Sequence, residues 1–198
     1  MRKAFVFDFD DTLATTKCNV LVRAIADDQL VARLTPKQYN KHKLRFDCHY
    51  DYSEFREGSF IKNANPTWLI HLAKEVSEEG HNVFILTARE DKVIGEIEEW
   101  TFDNGVDITE TYCIGGNSSQ IAIRKKKVLL DIVGKYDKVY FYDDSEENVN
   151  IFQHEKLRSY IVGSAASTIW TTQANCTTSI FRSLLHLPQS HLLTHKLV

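Results

Sequence analysis

The chain has 198 residues, of which 43% are hydrophobic and 26% are charged, and its formal net charge is −3. This composition is typical of one globular domain with room for a small insertion. The weak negative charge excludes an overall electrostatic preference for nucleic acid or membrane, so any basic surface must be local. The 4 cysteines form no C-x-x-C pair, which favours a reducing, cytoplasmic setting over a disulfide framework or zinc cluster. No N-terminal apolar run has the length of a signal peptide or membrane span.

The first strand ends in a group of carboxylates. A short apolar run predicts a buried strand over residues 3–8, and Asp8, Asp10 and Asp11 follow closely. Asp8 and Asp10 are two residues apart, so their side chains point to the same side of an extended backbone. Unpaired carboxylates are costly to bury, and Mg²⁺ prefers carboxylate and phosphate oxygens. We therefore expect Asp8 and Asp10 to form half of a Mg²⁺ site for phosphate chemistry; the alternative is a polar turn after a strand.

Residues 14–64 interrupt the alternation of strands and helices, and we expect them to form a small, mainly helical cap insertion. Residues 19–34 carry apolar side chains at helical spacing, and Thr35 with Pro36 is typical of the start of a second helix. Basic and aromatic side chains then alternate over residues 37–56, a composition that can bind phosphates and stack bases. The alternative is a solvated face over an aromatic core that belongs to the insertion itself. The residues concerned are Lys37, Tyr39, Lys41, His42, Lys43, Arg45, Phe46, His49, Tyr50, Tyr52, Phe55 and Arg56.

Regular alternation of helices and strands follows over residues 65–163. The predicted helices span residues 67–79, 91–102, 121–135 and 146–154, and the predicted strands span residues 83–86, 111–114, 138–142 and 158–162. This order predicts an α/β fold, with a Rossmann-like parallel five-stranded sheet and helices on both faces. Right-handed crossovers bring all the carboxyl ends of the strands to one edge, where ligands bind. Residues 1–13 and 65–163 form the predicted core, and residues 164–198 form a C-terminal extension with a predicted helix over Ile180–Leu187.

Polar residues follow two more of the predicted strands. Thr87 ends the second strand, and its hydroxyl and the neighbouring backbone N–H groups are suited to hold a phosphate oxygen. Asp143 and Asp144 end the fourth strand and add carboxylates for the cation. The sequence therefore predicts a phosphate and metal site at the carboxyl edge of the sheet.

A lysine is needed near these carboxylates to offset their charge. Lys125, Lys126 and Lys127 open the helix before the fourth strand. The apolar residues of this helix lie three, four, seven and eight positions after Lys125, so Lys125 shares the inward face. Lys126 is the second choice, and a solvated helix end is the alternative interpretation of the triplet.

With these motifs in order, the sequence resembles the phosphatases of the haloacid dehalogenase (HAD) superfamily. The motifs lie within residues 4–150 and consist of Asp8-Phe9-Asp10-Asp11-Thr12, Thr87-Ala88-Arg89, a lysine near Lys125, and Asp143-Asp144 followed by Asn148. The resemblance implies a phosphoric monoester hydrolase with a HAD-like core, a cap and Mg²⁺ as cofactor.

The resemblance also implies a role for each motif residue. Asp8 is the implied nucleophile, which forms an aspartyl-phosphate, and Asp10 is the implied general acid and then base. The implied metal ligands are Asp8, the main-chain carbonyl of Asp10, Asp144 and Asp143. The residues predicted to contact the substrate are Thr12, which also steadies the loop, Thr87, Ala88, Arg89, Lys125 and Lys126. Thr87 and Lys125 hold the phosphoryl group and count among the catalytic residues.

The expected substrate is a phosphomonoester. The insertion lies where HAD phosphatases carry a cap that selects the substrate, and its basic and aromatic content favours a nucleotide or a nucleic-acid terminal phosphate. The segment from Tyr142 to Asn148 also resembles the 3′-phosphatase domain of polynucleotide kinase-phosphatases. The alternatives are a 5′-nucleotidase, a sugar-phosphate phosphatase and a HAD-like binding protein without activity.

Overall fold

A computed structural model of the chain describes residues 1–39, 41–116, 118–163 and 169–171. The strands are β1 (Lys3–Phe7), β2 (Ala14–Thr15), β3 (Val20–Ala24), β4 (Leu30–Leu34), β5 (Cys48–Asp51), β6 (Asn65–Pro66), β7 (Asn82–Thr87), β8 (Glu110–Cys113), β9 (Lys138–Asp143), β10 (Leu157–Val162) and β11 (Ile169–Thr171). The α-helices are α1 (Pro36–Tyr39), α2 (Gly58–Lys62), α3 (Leu69–Glu78), α4 (Ile94–Asp103), α5 (Ser118–Lys135) and α6 (Glu146–Asn150), and two 3₁₀ turns span Ser53–Arg56 and Asp91–Val93. None of the helices in the described ranges has the length and apolar character needed to cross a membrane.

The main sheet has the strand order β11-β10-β9-β1-β7-β8. Strands β10, β9, β1, β7 and β8 are parallel, which confirms the predicted five-stranded parallel sheet. Strand β11 adds an antiparallel edge that the sequence did not predict. The strand order reverses at β1, because the chain continues to β7 and β8 on one side and to β9 and β10 on the other. Open α/β sheets bind their ligands at such a switch point.

Strand β1 is buried on both faces, and its alternate side chains enter two separate cores. Phe5 and Phe7 pack with residues of α3 and α4, whereas Val6 packs with residues of α5 such as Leu129. The ring of Phe7 stacks on Tyr142 of β9 at 4.9 Å between centroids. Such cross-strand pairs fix the alignment of β1 and β9, so the residues that follow these strands arrive side by side.

The cap insertion is a small β-sheet, so the prediction of a mainly helical cap is wrong. Residues 19–34 contain β3 and β4, which form an antiparallel sheet of order β4-β3-β5 with β5. Residues Val20, Leu21 and Val22 are buried consecutively, and so short an apolar run does not separate a strand from a helix. Asp28, with φ of 57°, allows the turn between the two strands.

The other differences concern the ends of elements. Thr35 and Pro36 do begin a helix, but α1 lasts only one turn, with the Gln38 N–H donating to Thr35 Oγ1 at 3.3 Å. Helix α6 ends at Asn150, four residues before the predicted end. Strands β2 and β6 pair where the insertion leaves and rejoins the core. The predicted helix over Ile180–Leu187 lies outside the described residues.

Candidate active site at the carboxyl edge of the sheet

The strand-end residues predicted from the sequence lie around the switch point of the sheet. Asp8 directly follows β1, Thr87 ends β7 and Asp143 ends β9. The backbone N–H of Asp8 donates to the carbonyl of Tyr142 at 2.9 Å, which extends the pairing of β1 and β9 by one step. The sheet register therefore holds Asp8 beside Asp143.

Lys125 lies between these two carboxylates. Its Nζ donates to Asp8 Oδ1 at 2.7 Å and to Asp143 Oδ2 at 2.6 Å, and its side chain is 1% exposed. Burial by itself lowers the pKa of the Lys125 ammonium, but the ion pairs with Asp143 and Asp8 outweigh burial and raise it. Lys126 instead lies over the ring of Phe152, with 5.9 Å from Nζ to the centroid, and Lys127 is exposed. Helix phase thus brings Lys125, and neither of its neighbours, to Asp8.

Asp143 is fully buried and surrounded by donors. Besides Lys125, the Asn148 side-chain amide donates to its two oxygens at 2.9 and 3.1 Å, and the Ser145 backbone N–H donates at 2.9 Å. The Asn148 backbone N–H in turn donates to Ser145 Oγ at 3.4 Å, at the start of α6. These contacts make Asp143 a fixed anion that orients Lys125.

Asp8, Asp143 and Asp144 form an acidic cluster. Each offers one carboxylate oxygen, and the three atoms lie within 4.8 Å of one another. Burial raises the pKa of Asp8 well above its usual value; Lys125 offsets this in part, and the Asp143 and Asp144 charges raise it further. Asp144 is exposed at its surface, but the protein packed around its carboxylate, followed by the neighbouring Asp143 and Asp11 carboxylates, raises its pKa to about 7. This donor set fits a hard divalent cation, which would relieve the repulsion among the carboxylates.

Asp10 is held by a second cation, Arg89. The guanidinium donates from Nε and Nη2 to the two Asp10 oxygens, both at 2.8 Å, in a bidentate pair. Thr16 Oγ1 also donates to Asp10 Oδ1 at 2.8 Å. The Asp10 carboxylate is thus fixed in orientation by Arg89 and Thr16, whereas Asp8 is held by Lys125.

Arg89 also joins the core to the cap. Its Nη1 donates to the Phe55 carbonyl at 2.7 Å, and its Nη2 donates to Cys18 Sγ at 3.3 Å. The guanidinium lies over the rings of Phe55 and Phe9, and the Arg89 side chain is 1% exposed. All three guanidinium nitrogens are therefore engaged inside the protein. These contacts favour a positioning role for Arg89 over the direct substrate contact predicted from the sequence.

The remaining predicted residues differ in their access to the site. Thr87 is buried, and its Oγ1 accepts from the Arg89 backbone N–H at 3.3 Å, which leaves the hydroxyl hydrogen available. Ala88 is exposed beside Thr87. Thr12 is fully buried, and its carbonyl accepts from the Thr67 hydroxyl. Thr12 is therefore placed to support the loop, and its side chain is not open to a substrate.

Sequence reasoning missed the contacts that the insertion makes with the site. Thr16, Cys18 and the Phe55 carbonyl surround the Arg89 and Asp10 pair. The three residues share no motif and no periodicity, and the contact between Arg89 and Cys18 spans 71 positions. No signal in a single sequence identifies such a contact.

The sheet order and the strand-end residues together define an α/β protein with a Rossmann-like parallel sheet and an acidic cluster at its carboxyl edge. No protein-family model and no curated protein matches the sequence. Among solved structures, two of the Pnkp1/Rnl/Hen1 RNA repair complex match 82% of this chain with a TM-score of 0.52, at 17% and 18% identity. A HAD family enzyme from Bacteroides thetaiotaomicron in complex with magnesium and inorganic phosphate is similar with a TM-score of 0.44, at 14% identity, over 84% of this chain and 97% of the enzyme.

These similarities concern the fold. The match covers 42% and 46% of the two repair-complex chains, so this chain spans less than half of their length. The chain shares the fold of part of these repair-complex chains, and the Rossmann-like α/β fold predicted from the sequence is confirmed.

Proposed function

We propose that this protein is a Mg²⁺-dependent phosphatase that hydrolyses a phosphomonoester through an aspartyl-phosphate on Asp8. The observation that carries the proposal is the pairing of two carboxylates with two buried cations at one sheet edge: Asp8 with Lys125, and Asp10 with Arg89. Phosphoryl transfer requires an aligned nucleophile and neutralisation of charge more than elaborate covalent chemistry. Both requirements are supported by this arrangement.

The proposed metal ligands are Asp8, Asp144 and the main-chain carbonyl of Asp10. Asp143 is a weaker candidate, because both its oxygens already accept hydrogen bonds from Lys125, Asn148 and Ser145. Asp144 reaches solvent and accepts no hydrogen bond from any residue that the structure describes. Mg²⁺, when bound, supplies the positive charge that lets an anionic phosphate approach the Asp8 carboxylate.

The proposed reaction has two displacements. A carboxylate oxygen of Asp8 attacks phosphorus and the bond between phosphorus and the leaving oxygen breaks. Asp10 enters this step as the carboxylic acid and gives its proton to the leaving oxygen, which makes Asp10 a carboxylate. Asp10 then takes a proton from a water molecule, which attacks the aspartyl-phosphate, releases inorganic phosphate and restores Asp8. Lys125 and Thr87 hold the phosphoryl oxygens during both steps, and Arg89 keeps the Asp10 carboxylate in one orientation for the second step, in which it takes the proton from water.

The proposed substrate is a nucleotide or a nucleic-acid terminal phosphate. The support comes from the lysines and arginines of residues 37–56 and from the fold similarity to chains of an RNA repair complex. The cap is an antiparallel sheet with one-turn helices and not a helical bundle, which also supports a site that admits the end of a nucleic-acid strand.

Turnover of a simple phosphomonoester tests the phosphatase proposal. Purified protein is expected to hydrolyse p-nitrophenyl phosphate in the presence of Mg²⁺. It is expected to lose this activity in EDTA, because EDTA removes the cation that offsets the charge of the acidic cluster. A panel of mononucleotides, 3′-phosphorylated oligonucleotides and sugar phosphates then ranks the substrates. The absence of any Mg²⁺-dependent hydrolysis across the panel would reject the proposed activity.

Replacement of Arg89 by Lys is expected to lower kcat for p-nitrophenyl phosphate about 10²-fold and to change KM little. A lysine cannot form the bidentate pair, so Asp10 loses its fixed orientation, and general acid–base catalysis contributes roughly 10²–10⁴-fold. The control is Arg56→Lys, which alters an exposed ion pair with Glu90 between cap and core and is expected to change kcat less than about 3-fold. Steady-state kinetics across pH 5–9 separates the interpretations: a raised KM with unchanged kcat means that Arg89 binds the substrate directly.

A further inference from the structure

The cap carries one aromatic side chain, Phe46, that is exposed to solvent. Residues 41–47, which we name the tip loop, connect the segment after α1 to β5. Within this loop Phe46 is 98% exposed and Leu44 is 41% exposed. An aromatic ring gains free energy from burial, so a fully exposed one contributes nothing to packing within the described residues.

The other aromatic residues of the segment have a structural use. Tyr39, Tyr50 and Tyr52 pack against the buried residues of the cap sheet, and the hydroxyls of Tyr39 and Tyr52 are 2.8 Å apart. His42 contacts the Tyr50 hydroxyl through Nδ1 at 3.0 Å. The aromatic residues that form one pattern in the sequence therefore have two different environments: the tyrosines pack in the core of the cap, and the ring of Phe46 is exposed.

The tip loop also carries positive charge without compensation. Lys41 and Lys43 are exposed, and neither forms an ion pair with a residue in the described ranges. Arg45 pairs with Asp47 inside the loop. In the neighbouring turn, the Asp28 carboxylate lies 3.9 Å from Arg23 and 3.5 Å from His49, so it is directed at side chains outside the tip loop.

The cap sheet places the tip loop away from the site, on the same insertion. The Ile25 N–H donates to the Asp47 carbonyl at 2.8 Å, and Ala24, the last residue of β3, pairs with Cys48, the first residue of β5. The tip loop therefore lies at this end of the cap sheet. The opposite end of β3 follows Cys18, which contacts Arg89. Six residue steps separate Ala24 from Cys18, at about 3.4 Å each in extended chain, so the loop lies up to roughly 20 Å from the end that contacts the site.

We infer that the tip loop binds a single-stranded nucleic-acid substrate several nucleotides from its phosphorylated end. A base stacks on Phe46, and Lys41 and Lys43 neutralise backbone phosphates, which is the combination by which single strands are bound without sequence preference. The separation from the site corresponds to a short run of nucleotides. The inference rests on the proposed phosphatase function and narrows its substrate to strands longer than a mononucleotide.

Length dependence tests the inference. We measure kcat/KM for 3′-phosphorylated oligothymidylates of 2 and 8 nucleotides, with p-nitrophenyl phosphate as the reference substrate. Wild-type protein is expected to prefer the octamer. Phe46→Ala is expected to lower kcat/KM for the octamer roughly 5- to 20-fold, because stacking of a base on an aromatic side chain has at least this effect on affinity. The same variant is expected to leave kcat/KM for the dimer and for p-nitrophenyl phosphate unchanged. Phe102→Ala is the matched control, because Phe102 is 78% exposed on α4 of the core.

The lysines are tested by salt. For Lys41→Ala with Lys43→Ala, the slope of log(kcat/KM) against log salt for the octamer should weaken by about 1.4, since each phosphate contact to a single strand contributes about 0.7. The exposed lysines at the far end of β9 and α5 give the charge-matched control, Lys135→Ala with Lys138→Ala. Equal kcat/KM for the dimer and the octamer, with active p-nitrophenyl phosphate turnover, overturns the inference and leaves the phosphatase intact. Loss of p-nitrophenyl phosphate turnover in wild-type protein rejects the phosphatase itself.

Discussion

Replacement of Asp8 by Asn is expected to lower turnover of p-nitrophenyl phosphate by at least about 10⁴-fold, because a neutral amide oxygen is a poor nucleophile. The substitution keeps the shape of the side chain, and its amide oxygen can still accept from Lys125. Burial and the neighbouring carboxylates raise the pKa of Asp8, so its charge is costly in the folded protein. We therefore expect the variant to fold at least as well as the wild type without metal, which separates loss of chemistry from loss of structure.

Asp11→Asn is the control for the Asp8 variant. Asp11 belongs to the same loop, but it has a φ of 53°, and its carboxylate accepts no hydrogen bond from another described residue. Asn tolerates this left-handed backbone well, so we expect less than about a 3-fold change in turnover. Rapid acid quench with a ³²P-labelled substrate provides a second measurement: wild-type protein retains covalent label and Asp8→Asn does not. Normal turnover by Asp8→Asn would exclude the covalent mechanism.

The core of the fold could be predicted because its signals are local. Strand β1 is an unbroken apolar run that ends in carboxylates, and this pattern corresponds to a strand buried on both faces. The position of Lys125 followed from helix periodicity alone, since Leu129 and Ile132 mark the buried face of α5. Asp8 directly follows the strand that positions it, and Lys125 lies within about two helical turns of the apolar residues that mark its face.

The cap could not be predicted in the same way. Val20 and Val22 fit either a helix or a strand, and the pairing with β5 across the intervening residues decides between them. The engagement of Arg89 depends on Phe55 and Cys18, which lie 34 and 71 positions away. Such contacts arise from packing of the cap on the core, and no short-range pattern encodes them.

The partners of the carboxylates separate their proposed roles more clearly than the sequence does. Asp10 and Asp143 are each fixed by several donors, Asp10 by Arg89 and Asp143 by Lys125 and Asn148. Asp8 accepts from Lys125 at one oxygen, and Asp144 reaches solvent. Asp143 is suited to orienting Lys125, the fixed Asp10 carboxylate is suited to the proposed proton transfers, and Asp8 and Asp144 are suited to binding a cation and phosphate. The sequence alone, which presents the aspartates as two adjacent groups, does not make this distinction.

Replacement of Lys125 by Met is expected to lower the free energy of unfolding by about 3–5 kcal/mol at pH 8 and to abolish turnover. The change removes the cation from two buried carboxylates, and breaking a buried ion pair on one side has this cost. Lys126→Met is the matched control, because Lys126 forms no ion pair within the described ranges, and we expect a change below about 0.5 kcal/mol. Urea unfolding monitored by tryptophan fluorescence gives both values.

The cost of Lys125→Met should also depend on pH, with a definite sign. Burial already raises the pKa of Asp8, and loss of Lys125, which lowers it, raises it further. The folded variant then keeps a proton that the unfolded chain releases near pH 4, so its stability is greatest at low pH and falls as the pH rises through the raised pKa. The difference in unfolding free energy between wild type and variant should therefore be smaller at pH 5 than at pH 8. An equal destabilisation by Lys126→Met, or a Lys125→Met cost that grows as the pH falls, contradicts the assignment of Lys125 as the cation that neutralises Asp8.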